Sequence, residues 1–189
     1  MKTIHLNEKV MVSDPCYTDP TWCQKKLTGV LPGRYVTGVL KSDEGDWGER
    51  IGALVVIHED YLNDELTWRT DKSADIGVDS GQCGIFSMES YRNDSIVDTI
   101  PQASKSRYPM FDYPALQDGD KWYEKMCRFT LSEDSWGVYE NGVVSSSGYG
   151  DGSYRLLLTK HNGKIVGIGV DFLGYKNYAF NHIIKTEVV

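Results

Sequence analysis

The 189-residue chain holds no apolar run near the ~20 residues of a spanning helix; Leu54-Val55-Val56-Ile57, among its longest, is strand-sized, and no membrane association is expected. No C-x-x-C pair is present, because Cys16, Cys23, Cys83 and Cys127 stand apart at separations that fit no common zinc template. The histidines His5, His58, His161 and His182 are equally scattered, so neither a metal nor a cofactor is expected. Positive charge is scarce: 20 Lys and Arg against 27 Asp and Glu leave a net charge of −7. That balance disfavours nucleic acid, whose phosphates require clustered cations. It leaves open a basic protein partner, or a small anion held locally. No Gly-Lys-Ser/Thr closes a phosphate loop, and no strand–Gly-rich turn–helix unit carries a dinucleotide fingerprint. Met1-Lys2-Thr3-Ile4-His5 has no apolar core of the signal-peptide kind, so the expectation is a cytoplasmic chain with reduced thiols. No repeat, low-complexity tract or Pro/Gly/Ser linker divides the chain, and at about 150 residues per domain one domain over 1–189 is expected.

What is present is mostly strand. Gly33–Leu40 and Ile51–His58 are rich in β-branched and aromatic residues, and the Gly/Asp-rich stretch 42–48 between them has hairpin character. Tyr154–Lys160 and Lys164–Phe172 flank His161-Asn162-Gly163, the strongest hairpin signal in the chain. Residues 178–189 predict a last strand. Two short helices are expected. Asp19-Pro20 places a capping carboxylate before a first-turn proline, leading into 21–27. Over 120–131, Trp122, Met126 and Phe129 recur at helical spacing. Residues 90–113 read as irregular connection. Strands dominate without β-α-β alternation, so the class is α+β, mainly antiparallel sheet in a sandwich.

Three turn motifs carry the candidate chemistry. After a first strand, Ser13-Asp14-Pro15-Cys16-Tyr17 puts Asp14 in extended backbone before a proline, a natural Asx-turn former. In Val78-Asp79-Ser80-Gly81-Gln82-Cys83-Gly84, a glycine turn with Asp79 capping its amides is preferred to a Ser80 nucleophile, which has no histidine motif upstream, and to a Cys83 nucleophile, which would need a distant histidine brought to it by the fold. In Ser147-Gly148-Tyr149-Gly150-Asp151-Gly152-Ser153-Tyr154, alternating glycines permit positive φ, and Asp151 is placed to accept from the turn's own amides. The run Asp43-Glu44-Gly45-Asp46 lacks an EF-hand's ligand spacing and reads as a solvated hairpin tip. No catalytic residue is assigned.

In this order, D-P-C-Y, L-P-G-R-Y-V (31–36), V-D-S-G-Q-C-G-I-F (78–86) and S-G-Y-G-D-G-S-Y leading to G-V-D-F (169–172) resemble the bacterial and phage family catalogued as domain of unknown function 4241. The likeness covers most of the chain, is weakest over 90–135, and departs at Tyr149, where the family usually has Trp. It implies a β-rich domain in a phage or bacterial cytoplasm, and no activity. The leading expectation is non-enzymatic binding of a small nucleotide-like metabolite, such as an immune signal sequestered in counter-defence. Asp14, Cys16, Tyr17, Asp79, Ser80, Gln82, Ser147, Gly150, Asp151 and Tyr154 form the candidate ligand site. Its donors would be the amides of the two glycine loops, helped by Arg34 or Arg155. Two alternatives stand beside it. One is an acidic inhibitor or immunity-type protein meeting a basic host protein through carboxylates at 43–49, 58–65 and 118–124. The other is a hydrolase holding a divalent metal with Asp14, Asp79, Asp151 and Asp171.

Overall fold

Residues 2–73, 75–108 and 121–175 are described by the computed structural model. In them the alternating apolar segments pair into two antiparallel sheets. The larger runs β1 (Lys2–Leu6), β4 (Gly33–Asp43), β5 (Glu49–His58), β12 (Lys164–Asp171) and β11 (Gly152–His161) in spatial order. Two short strands, β6 (Arg69–Thr70) and β7 (Ile76–Val78), share the outer edge of β11. The smaller sheet runs β3 (Lys25–Thr28), β2 (Lys9–Ser13), β8 (Gln82–Ser87), β10 (Gly142–Ser146) and β9 (Trp136–Tyr139).

Period-two alternation decides which side chain enters which layer. Val10, Val12, Cys83, Ile85 and Val143 of the smaller sheet meet Tyr35, Leu54, Val56, Ile168 and Val170 of the larger in one core between the sheets. The intervening Met11, Phe86 and Val144 point the other way, onto Trp122, Met126 and Phe129 of α1 (Lys121–Thr130), the one α-helix among the described residues. Behind the larger sheet, Val55, Ile57 and Leu157 pack with Trp68, beneath Tyr61, Leu62 and Leu66. Both faces of β5 are therefore covered, which accounts for its unbroken apolar run.

The α+β class and the antiparallel sandwich are as expected, and Asn162 (φ 48°) and Gly163 (φ 78°) make the expected hairpin turn. The helix over 120–131 is α1, whose first turn is capped from outside as the Trp122 amide donates to Asp94 Oδ1 at 2.9 Å. The other predicted helix is corrected. Lys25–Thr28 is β3, paired with Lys9–Val12, and 19–24 is a turn in which the Gln24 amide donates to the Thr21 carbonyl and the Thr21 amide to Gln24 Oε1. A seven-residue segment nucleates helix poorly alone, and an open sheet edge offers its amides immediate partners. A short helical segment falls instead at Asp94–Thr99, in 3₁₀ form. The predicted strand over 178–189 lies outside the described residues.

Gly137 of β9 lets α1 approach the sheet: a Cβ there would sit 2.0 Å from Phe129 Cδ1, inside contact distance. Gly137→Ala is expected to destabilise by about 1–3 kcal/mol through overpacking. Urea unfolding checks this, and Phe129→Leu in the same chain should recover part of the loss.

Candidate binding site

The site is built on a carboxylate with no solvent access. Asp14 follows β2 and is 0% exposed, in a position that β2 carries into the layer between β3 and β8. Its Oδ1 accepts from the Cys16 amide (2.8 Å) and the Ser80 hydroxyl (2.6 Å). Its Oδ2 accepts from the amides of Asp79 (2.9 Å) and Ser80 (2.7 Å). The Asx turn expected at Asp14 is thus present, but the 79–80 turn is capped by Asp14 and not by Asp79. No Lys or Arg among the described residues pairs with this carboxylate. Peptide and hydroxyl dipoles alone hold the charge. Arg92 braces the same segment by donating to the carbonyls of Pro15 (2.7 Å) and Cys16 (3.3 Å).

The second and third motifs lock onto each other. The Gly81 amide donates to Asp151 Oδ1 at 3.0 Å, and the Ser147 amide donates to the Gly81 carbonyl at 3.0 Å. Asp151 therefore caps a turn 70 residues away, not its own. Within its own loop the Gly150 amide and the Ser147 hydroxyl bond across to Ser147 and Gly150 carbonyls, and the Tyr154 hydroxyl donates to the Gly150 carbonyl at 2.6 Å. The Gly148 amide donates to Ile51. Gln82 is buried, donating to Ser80 Oγ (3.2 Å) and accepting from the Thr130 hydroxyl of α1 (3.0 Å). These loop amides, expected to be donors for a ligand, are already engaged within the fold. Asp14, Ser80, Gln82, Ser147, Gly150 and Tyr154 are the frame.

Beside that frame opens a groove of about 620 Å³. Tyr17 and Asp79 line it with Trp22, Ser73, Asp75 and Ser153, over the backbone of Gly77 and Gly152. Trp22 is 92% exposed, and both aspartates stand in solvent. Burial, then the neighbouring Asp79 carboxylate, push the Tyr17 phenol up, so it is neutral at any working pH. No Lys or Arg is among the lining residues. Arg155 is bound to Asp171 at 2.9 Å and Arg34 lies 3.8 Å from Glu59, so neither supplies the expected cation. Trp22, Ser73, Asp75 and Ser153 were missed by sequence reasoning. Trp22 falls within the predicted helix, Ser153 lies inside the third motif without being singled out, and Ser73 and Asp75 lie in a short polar stretch without a motif.

The oxygens of Asp171, one of the four aspartates of the metal alternative, are engaged within the fold: Oδ1 accepts from the amides of Leu173, Gly174 and Tyr175, and Oδ2 from Arg155. Among the described residues no three His, Cys, Asp or Glu side chains are grouped to hold an ion. The thiols of Cys16, Cys83 and Cys127 are set against nucleophilic work. Burial, then the Asp14 charge, push Cys16 up to about 12 and move Cys83 upward as well. Burial also raises Cys127. No family model, no curated protein and no solved structure matches the chain.

Asp14→Asn keeps the shape but leaves one acceptor oxygen for four donors. It should cost about 2–4 kcal/mol, whereas Asp151→Asn, which retains its single bond to Gly81, should cost less than about 1 kcal/mol. Chemical denaturation of the two variants checks the order. At pH 8 native Cys16 should be about one part in ten thousand thiolate. Its alkylation should then be far slower than in denaturant, as peptide mapping after timed labelling would measure.

Proposed function

We propose that the chain is a non-enzymatic binding protein of the domain of unknown function 4241 family, and that the groove at Tyr17, Trp22, Asp75 and Asp79 takes a small planar ligand through its hydrogen-bond donors. The observation that carries this is the exposed Trp22 standing over a groove whose charges are carboxylates. An exposed indole offers a stacking face worth about 1–3 kcal/mol per base. Carboxylates accept from ring and exocyclic N–H groups and repel phosphate. The nucleotide-like ligand expected from the sequence is thereby narrowed to its base and sugar, a nucleoside or a cationic aromatic. The resemblance and the free thiols support a phage or bacterial cytoplasm, where a protein of this kind would act by sequestering its ligand. No helix among the described residues is long and apolar enough to cross a membrane.

A second reading, an acidic inhibitor of a basic protein, draws on the tip of the β4–β5 hairpin. There Asp43, Asp46 and Glu49 are exposed beside Trp47 and Tyr149, whose rings meet edge-on at 6.0 Å. A basic partner captured through this tip would be released by salt and lost on Trp47→Ala.

Titration of the full chain with nucleosides and free bases, followed by tryptophan fluorescence, should give a saturable change. Trp22→Ala and Asp79→Asn should each weaken it by at least about tenfold at unchanged melting temperature. Absence of saturable binding across that panel, or binding untouched by both variants, overturns the proposal.

A further inference from the structure

Several basic side chains here have a carboxylate. Lys25 pairs with Asp71, Lys26 with Asp19, Lys41 with Glu49, Arg128 with Glu124, and Lys164 with Glu8. Arg69, Lys72 and Lys160 make no such pair among the described residues. All three line one groove of about 590 Å³, together with Thr67, Thr70 and Leu158. Sheet pairing explains the convergence. Arg69 of β6 is registered opposite Leu158 of β11, two residues before Lys160, and Lys72 follows in the turn that leaves β6. The one carboxylate in the lining, Asp71, is already matched: it lies 3.2 Å from Lys25 and accepts from the Ser73 amide and hydroxyl.

We infer that this groove binds a small molecule through a multiply charged phosphate group. Three positive charges sharing one groove, whose single carboxylate is already neutralised by Lys25, repel one another, and an anion of two or more charges relieves that repulsion where a monocarboxylate does not. The guanidinium of Arg69 presents the planar fork that matches phosphate oxygens, and the ammonium groups and threonine hydroxyls add donors. The volume falls within the ~300–1,000 Å³ of small-molecule sites and exceeds what a bare phosphate fills, leaving Leu158 and the lysine stems to meet the rest of the ligand. The site is separate from the carboxylate-lined groove, and its chemistry is the opposite.

Calorimetric titration of the full chain with inorganic pyrophosphate, with succinate as a dicarboxylate control, tests the inference. Saturable pyrophosphate binding is expected, weakened about tenfold by Arg69→Ala and again by Lys160→Ala, and weakened by added salt. Trp22→Ala should leave it unchanged. All three positions tested are solvent-exposed, and melting curves of each variant check that the fold is kept. Arg69→Lys, which retains charge without the fork, should fall between wild type and Arg69→Ala. No saturable heat at millimolar pyrophosphate, affinity in Arg69→Ala and Lys160→Ala unchanged from wild type, or succinate binding as tightly as pyrophosphate would each overturn it.

Discussion

Removing a carboxylate from water costs several kcal/mol unless the protein rebuilds its hydration shell, and around Asp14 the rebuilding is done by three amides and one hydroxyl. Hydrogen bonds to an ionised acceptor are worth about 1.5–3 kcal/mol each, so four of them hold the charge where no cation does. The bonds reach from the end of β2 to the β7–β8 turn, 65 and 66 residues on. That turn then receives Asp151 at Gly81, which anchors the 147–152 loop in turn. Tyr17, Asp79, Gly152 and Ser153 line the groove because of this chain of contacts. Rigid positioning of a few polar groups by a second layer is what a binding site requires.

Charge is partitioned over a small distance. On an acidic chain, one groove along the β11 edge carries Asp75 and Asp79, and another carries Arg69, Lys72 and Lys160. The 71–73 turn belongs to both, with Asp71 on one side and Ser73 on the other, joined by their own hydrogen bonds and to Lys25. The half-buried Lys25–Asp71 pair neutralises a charge that would otherwise offset the cations beside it.

The sandwich makes this edge chemistry possible without weakening the fold. Its core is buried between two sheets and again beneath α1, and β7 adds Ile76 and Val78 to it, while the exposed Arg69 of β6 and the turns flanking these short edge strands are available for polar surfaces. Glycines at close approaches, such as Gly137 under Phe129 and Gly77 against Cys23, permit the layers to meet at these distances.

By itself the sequence determined the paired strands over 33–58 and 154–172, the hairpin at Asn162-Gly163, the helix over Trp122, Met126 and Phe129, and the three turn motifs. Each of these is set by side-chain periodicity or backbone preference within about ten residues. Tertiary structure decided the rest. It turned 25–28 from helix to strand by offering β2 as a partner, and gave the 79–80 amides to Asp14 and the Gly81 amide to Asp151. It also left Trp22 in solvent and gathered Arg69, Lys72 and Lys160 into one groove. The reason is distance along the chain: a carboxylate announces that it will accept hydrogen bonds, but which amides reach it depends on sheet register set by residues far away.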